Sequence, residues 1–159
     1  MSARRAPRLQ IVAVGRARPP HEAPAREYEK RIAERVPLRV DEVTAEPLQG
    51  GEEVARRREA ERIRGRLLPR AHVVALDPAG RAPASSEALA AWLGRRLEDP
   101  RPTAIVVGGA AGLHAELVGA CDERLSLGPL TLPHQLARVV LAEQVYRGLC
   151  ILAGHPYAH

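Results

Sequence analysis

Three short runs of the chain, Leu9–Val14, His72–Leu76 and Thr103–Val107, are rich in β-branched and aliphatic residues and show no polar alternation. Successive side chains of a strand point to opposite faces, so an unalternating apolar strand has both faces covered. Such strands belong in the middle of a layered sheet, and the segments between them supply the covering. From Glu22 to Arg35, Tyr28, Ile32 and Val36 recur every four residues among charges, which reads as an amphipathic helix stopped before Pro37. Leu38, Val40 and Val43 make a second strand, and after Gly50-Gly51 a highly charged helix runs from Glu52 to Leu68. Pro78 to Pro83 reads as a polar loop. Ser85-Ser86 caps a helix through Leu89, Trp92, Leu93 and Leu97. A short helix from Leu113 to Cys121, a fifth strand from Arg124 to Leu127 and a helix from His134 to Leu152 complete the order. Strands alternating with helices imply an α/β fold, a parallel sheet sandwiched by helices.

With 159 residues there is chain for about one domain. No apolar run approaches the ~18 residues of a membrane-spanning helix, and the basic N-terminus leads into no signal-peptide core, so a cytoplasmic location with no membrane partner is expected. Cys121 and Cys150 have no metal-ligand or redox spacing and read as small packing residues. The net charge of +5 and pI near 10.0 suit a polyanionic partner. Of the 24 basic residues, however, only Lys30 is lysine, a bias that base composition alone can produce. Residues 101–159 carry four arginines against four acids, so the whole surplus lies earlier.

Ligands of such sheets bind beyond the carboxyl ends of the strands. There the sequence offers Asp77, the cluster Gly108-Gly109-Ala110-Ala111-Gly112, and the loop Leu127-Gly-Pro-Leu-Thr-Leu-Pro133. The glycine cluster follows the fourth strand and matches neither a dinucleotide fingerprint nor a P-loop, which disfavours both classes. It is either a tight turn or a place where backbone closes on a ligand. Leu130 and Leu132 sit where a surface loop should be polar, so that loop is either folded into the core or wraps an apolar ligand. Arg16 and Arg18 follow the first strand, as RNA contacts or as a solvated loop. Tyr28 and Trp92 read as core. His134, just before the last helix, is a cap, a packing residue or a weak candidate base.

The sequence Val-Ala-Leu-Asp77, then Ile-Val-Val-Gly-Gly-x-x-Gly-Leu113, then Leu-Ser-Leu-x-x-Leu-Thr-Leu-Pro-His134, then Arg138, Glu143, Tyr146-Arg147 and the closing His-Pro-Tyr157 resembles the RlmH family of ribosomal RNA methyltransferases. The likeness runs from Leu9 to the C-terminus. It implies a single-domain SPOUT fold over residues 9–159 with a C-terminal deep trefoil knot, preceded by an N-terminal arm, residues 1–8, expected to be disordered. It also implies a homodimer that methylates N3 of a pseudouridine in 23S rRNA of the assembled ribosome, using S-adenosyl-L-methionine and no metal. Carried over by position, cofactor contacts fall on Leu76, Gly108, Leu127, Gly128, Pro129, Leu130, Thr131 and Leu132. Catalytic candidates are Arg138, which could hold a phosphate or the base carbonyl, and the tail residues His155, Tyr157 and His159. Two departures stand out. Ala110 and Ala111 replace the family's Pro-Glu, and Ala158 takes the place of its second histidine, with His159 one step later. They leave open a second class, a ribosome- or RNA-binding protein of this fold without turnover.

Overall fold

The computed structural model describes residues 5–158. Strands β1 (Leu9–Val14), β2 (Leu38–Val43), β3 (His72–Arg81), β4 (Thr103–Val107) and β5 (Glu123–Leu125) form one parallel sheet in the order β2-β1-β4-β3-β5. Helices α1 (Glu22–Ala33), α2 (Glu52–Arg64), α3 (Ser86–Glu98), α4 (Ala115–Ala120) and α5 (His134–Ala153) lie on its two faces. Leu9, Ile11, Ala13, Val74, Ile105 and Val107 point to one face, against Ile32 of α1, Leu89 and Leu93 of α3, and Leu141, Val145 and Leu149 of α5. Val12, Val14 and Val106 point to the other, against Ala60 and Ile63 of α2 and Leu117 of α4. The unalternating strands are thus buried on both sides, as expected; all six residues of β1 and all five of β4 are buried.

The expected polar loop over Pro78–Pro83 is a correction. Strand β3 continues to Arg81, its register on β5 slipping so that both Leu76 and Arg81 pair with Leu125. Asp77 accepts the Ala79 N–H at 3.0 Å, which turns the chain, and a Cβ on Gly80 would lie 2.7 Å from the Arg124 carbonyl carbon. Only glycine lets the bulged strand close again on its neighbour. Strand β5 is also shorter and earlier than the expected Arg124–Leu127. Its end is pulled off the ladder by Ser126, whose hydroxyl donates to the Gly128 carbonyl at 3.0 Å and accepts the Gly128 N–H at 3.1 Å.

Gly148 brings α5 against α3, where an added Cβ would sit 3.3 Å from Leu93. Cys150 is fully buried in this packing and Cys121 half-buried. Arg8, at the inner end of the expected N-terminal arm, donates to the Pro100 carbonyl at 2.8 Å and the Leu97 carbonyl at 3.0 Å. Residues 1–4 lie outside the described part of the chain.

Candidate active-site cleft

Strand β4 fills the gap between β1 and β3, and at the carboxyl ends of β4 and β3 opens a cleft of about 970 Å³. One wall is Leu76-Asp77-Pro78, the floor is Val107 to Leu113, and the far wall is the loop after β5 with His134 and Ala137 of α5. Seven of the eight positions expected to contact a cofactor line it: Leu76, Gly108, Leu127, Gly128, Leu130, Thr131 and Leu132. Pro129 is exposed and is not part of the wall. Leu130 is 79% exposed at the lip, so the apolar loop is not folded wholly into the core.

The glycine cluster is a tight turn whose own backbone packs closely on itself. Gly109 and Gly112 pair across the turn, with the Gly112 N–H donating to the Gly109 carbonyl at 3.0 Å, and Gly112 has a φ of 80°. A Cβ on Gly108 would stand 2.9 Å from the Gly112 carbonyl carbon and 3.1 Å from the Leu113 nitrogen. Helix α2 holds the turn from behind. Arg56 donates to the Ala111 carbonyl at 3.1 Å, and His114 Nε2 meets Glu53 at 2.8 Å. That contact, with Arg56 beside it, holds the Glu53 carboxyl below its usual range.

His134 opens α5 without capping it through its side chain. Burial in the cleft wall, with Arg18 adding to it, lowers its proton affinity, while Glu59 acts the other way. The ring is therefore neutral at pH 7. The loop carrying Arg16 and Arg18 is tied to this end of α5: Gln135 accepts the Arg18 N–H at 3.1 Å and donates to the Arg16 carbonyl at 2.9 Å, leaving both arginine side chains exposed.

The catalytic candidates lie elsewhere in the chain. Arg138 is 4% exposed and does not line the cleft. Its guanidinium donates to Glu29 at 2.9 Å and to Glu42 at 2.5 Å. Burial tends to raise the Glu42 carboxyl, but the Ala17 N–H and the Arg138 and Arg26 guanidiniums outweigh it and bring it down to about 2. Any contact of Arg138 with a phosphate or a base carbonyl comes at the expense of these carboxylates. Tyr157 folds back on α5, its ring 4.7 Å from that of Tyr146; its hydroxyl donates to Glu143 at 3.0 Å and lies 3.5 Å from the Tyr28 hydroxyl. Burial, then Tyr28 and Glu143, push that hydroxyl far up, so it keeps its proton and acts as a hydrogen-bond donor. Glu143 stands nine residues, roughly 13 Å, along α5 from His134. His155 is exposed and accepts the Tyr157 N–H on Nδ1 at 3.1 Å. His159 lies outside the described residues. Among the described residues, His155 and Tyr157 do not line the cleft of their own chain.

The family model described as "Predicted SPOUT methyltransferase" matches residues 8–159. The chain belongs to the SPOUT methyltransferase family. It is 47% identical over 150 residues to the ribosomal RNA large subunit methyltransferase H of Acidiphilium cryptum, covering 94% of this chain and 92% of that one. Identically named relatives from Gemmatimonas aurantiaca and Stutzerimonas stutzeri are 45% and 40% identical, each over 94% of this chain and 98% of theirs. The cleft's apolar walls, backbone-lined floor and scarcity of charge suit a ligand with an aromatic ring and a methylthio group.

Reading the sequence did not bring out Glu59, which is buried on α2 beside this floor. A signal was present: Ala55, Glu59 and Ile63 recur at four-residue spacing, placing the glutamate on the buried stripe.

Proposed function

We propose that the protein is an S-adenosyl-L-methionine-dependent methyltransferase of large-subunit ribosomal RNA, acting on N3 of a pseudouridine in the assembled ribosome. The observation that carries the reading is the glycine-floored apolar cleft at the carboxyl ends of β3 and β4, formed by the residues at which the resemblance puts cofactor contacts. The relatives' names supply the substrate class. The knot implied for the C-terminal segment belongs to the same reading.

S-adenosyl-L-methionine supplies the methyl group from its sulfonium. Leu127, Leu130 and Leu132 would cover an adenine ring, and the backbone from Gly108 to Gly112 and at Gly128 would offer the polar contacts that side chains do not. Methyl transfer to N3 also requires loss of the N3 proton, so the site needs an acceptor near neutral pH. His134 is the neutral imidazole in the cleft wall; Tyr157, held protonated, is suited to donate a hydrogen bond to a base carbonyl instead.

Since His155 and Tyr157 do not reach the cleft of their own chain, we assign them to the cleft of a second copy, making the active site composite. Helix α5 favours such a pairing. In 20 residues it carries only Arg138, Glu143 and Arg147 as charges, and Leu136, Val139 and Val140 remain part-exposed after α1 and α3 have packed. A helix apolar on nearly every side is one that is covered on every side. The exposed Arg16, Arg18, Arg57 and Arg64 are available for phosphates.

The test is methyl incorporation from labelled S-adenosyl-L-methionine into ribosomes lacking the modification, with free rRNA as comparison and mass mapping of the product nucleoside. N3-methylated pseudouridine on ribosomes is the expected result. Cofactor binding without transfer would replace the enzyme reading by that of an RNA-binding protein of this fold, for which Ala110, Ala111 and Ala158 are the motive.

A further inference from the structure

Glu59 is 4% exposed, and its two oxygens have different fates. Oε2 accepts the Glu46 N–H at 2.9 Å, which ties down the connection between β2 and α2. Oε1 is fully enclosed and has no hydrogen-bond partner among the described residues, and no arginine or histidine there lies within ion-pair distance of the carboxylate. The other buried acid of the fold, Glu29, has Arg138 against both its oxygens. A buried carboxylate without a countercharge is costly, several kcal/mol in order of magnitude, unless something cationic comes near it.

What lies next to Oε1 is the floor of the cleft. A Cβ built on Gly109 would be 3.5 Å from it, so one glycine backbone separates the carboxylate from the cleft interior. His134 in the far wall is near enough for the Glu59 carboxylate to favour its protonated form, against the larger effect of burial. The cleft itself brings little to oppose it: among the described residues Asp77, Arg124 and His134 are the titratable ones that line it, and Arg18 acts on His134 from outside.

We propose that Glu59 makes the cleft select a cationic donor over its neutral product: it favours the sulfonium of S-adenosyl-L-methionine relative to the thioether of S-adenosyl-L-homocysteine. The proposal rests on the reading of the cleft as the cofactor site. The two ligands share the adenosine and the amino-acid group, so those contributions cancel and the sulfonium charge is the difference. In the reaction the S–CH3 bond breaks with its electron pair staying on sulfur, the N3–CH3 bond forms, and the N3 proton leaves to a base. The ligand thereby loses the charge that Glu59 favours. Glu59 touches neither reactant; it is a specificity residue acting through the Gly109 backbone, and it favours loading of the donor and departure of the product.

The experiment is calorimetric titration of the full-length protein and of Glu59→Gln with S-adenosyl-L-methionine and, separately, S-adenosyl-L-homocysteine. The substituted glutamine side chain keeps the volume and an acceptor for the Glu46 N–H. Wild type should bind the sulfonium more tightly than the thioether. Glu59→Gln should lose roughly tenfold in affinity for the sulfonium, the scale of a unit charge acting across a backbone layer at an effective dielectric of ~20, with thioether affinity unchanged. Equal weakening of both ligands would make Glu59 a structural residue and overturn the proposal, as would no change in either. Failure of wild type to bind either ligand would remove the cofactor reading itself. Should Glu59→Gln not fold, Glu59→Asp and wild type carry the test, since both keep the charge: each must favour the sulfonium, and a preference for the thioether in either overturns the assignment.

Discussion

Replacing Arg138 by methionine exposes how α5 is held to the rest of the fold. The guanidinium donates to Glu29 at 3.2, 2.9 and 2.9 Å and to Glu42 at 2.5 Å, joining α5 to α1 and β2. At 2.9 Å and an effective dielectric of ~20 each ion pair amounts to about 6 kcal/mol of attraction, most of it offset by desolvation of the three groups. Removing the cation leaves Glu29 buried beside only Arg26, whose guanidinium is 3.7 Å away and 46% exposed. Breaking a buried pair costs ~3–5 kcal/mol, and Arg26 places this case near ~3. For a chain of this length that is a fall in Tm of roughly 6–12 °C.

Urea denaturation of wild type, Arg138→Met, Glu29→Gln and the double variant measures it. The double variant should regain at least about 1 kcal/mol over additivity, because the orphaned charge is gone. The pH dependence carries a sign. Glu42 is held at about 2 against an ordinary 4.5, so the stability it contributes is present above pH 4.5 and is lost as pH falls toward 2. The gap between wild type and Arg138→Met should therefore narrow across that window. A loss below about 1 kcal/mol at pH 7, or strict additivity, would refute the account of Arg138 as the tie of α5.

Two other outcomes follow from the cleft and from the composite form proposed for it. Gly108→Ala drives a Cβ into the Gly112 and Leu113 backbone, which cannot yield without opening the turn, so calorimetric affinity for S-adenosyl-L-methionine should fall at least ~10-fold while stability drops by no more than an overpacked site warrants, ~1–3 kcal/mol. Val139→Arg puts a charge on the part-exposed side of α5; in sedimentation velocity it should run as a monomer, and it should bind cofactor without methylating ribosomes, a dimer with full turnover being the contrary result.

Much of the site could be read in order along the chain, because its parts are strand ends. Leu76 ends the apolar run of β3 and Gly108 follows β4, and in a parallel sheet the carboxyl ends of the strands share one edge. The apolar loop from Leu127 to Leu132 declared itself by a composition that a solvated connection does not have. The position of the tail was not legible. Nothing local in His-Pro-Tyr157 shows that the tyrosine turns back onto Glu143 and Tyr28, a contact spanning 129 residues of sequence. The partners of Arg138 were not legible for the same reason: nothing local to the start of α5 shows the two acids that enclose it, 109 and 96 residues away.

The sequence by itself determined the layers. Apolar runs without alternation demand cover on both faces, and the helices between them carry the apolar stripes that provide it, so the α/β class follows from periodicity alone. Tertiary structure decided which charges are buried and what they face. Glu29, Glu42 and Glu59 are three glutamates among many in the chain, yet two meet Arg138 and the third stands uncompensated behind Gly109. Periodicity records whether a position is inside; only long-range packing sets the charge opposite it, and at these distances that charge dominates the energetics.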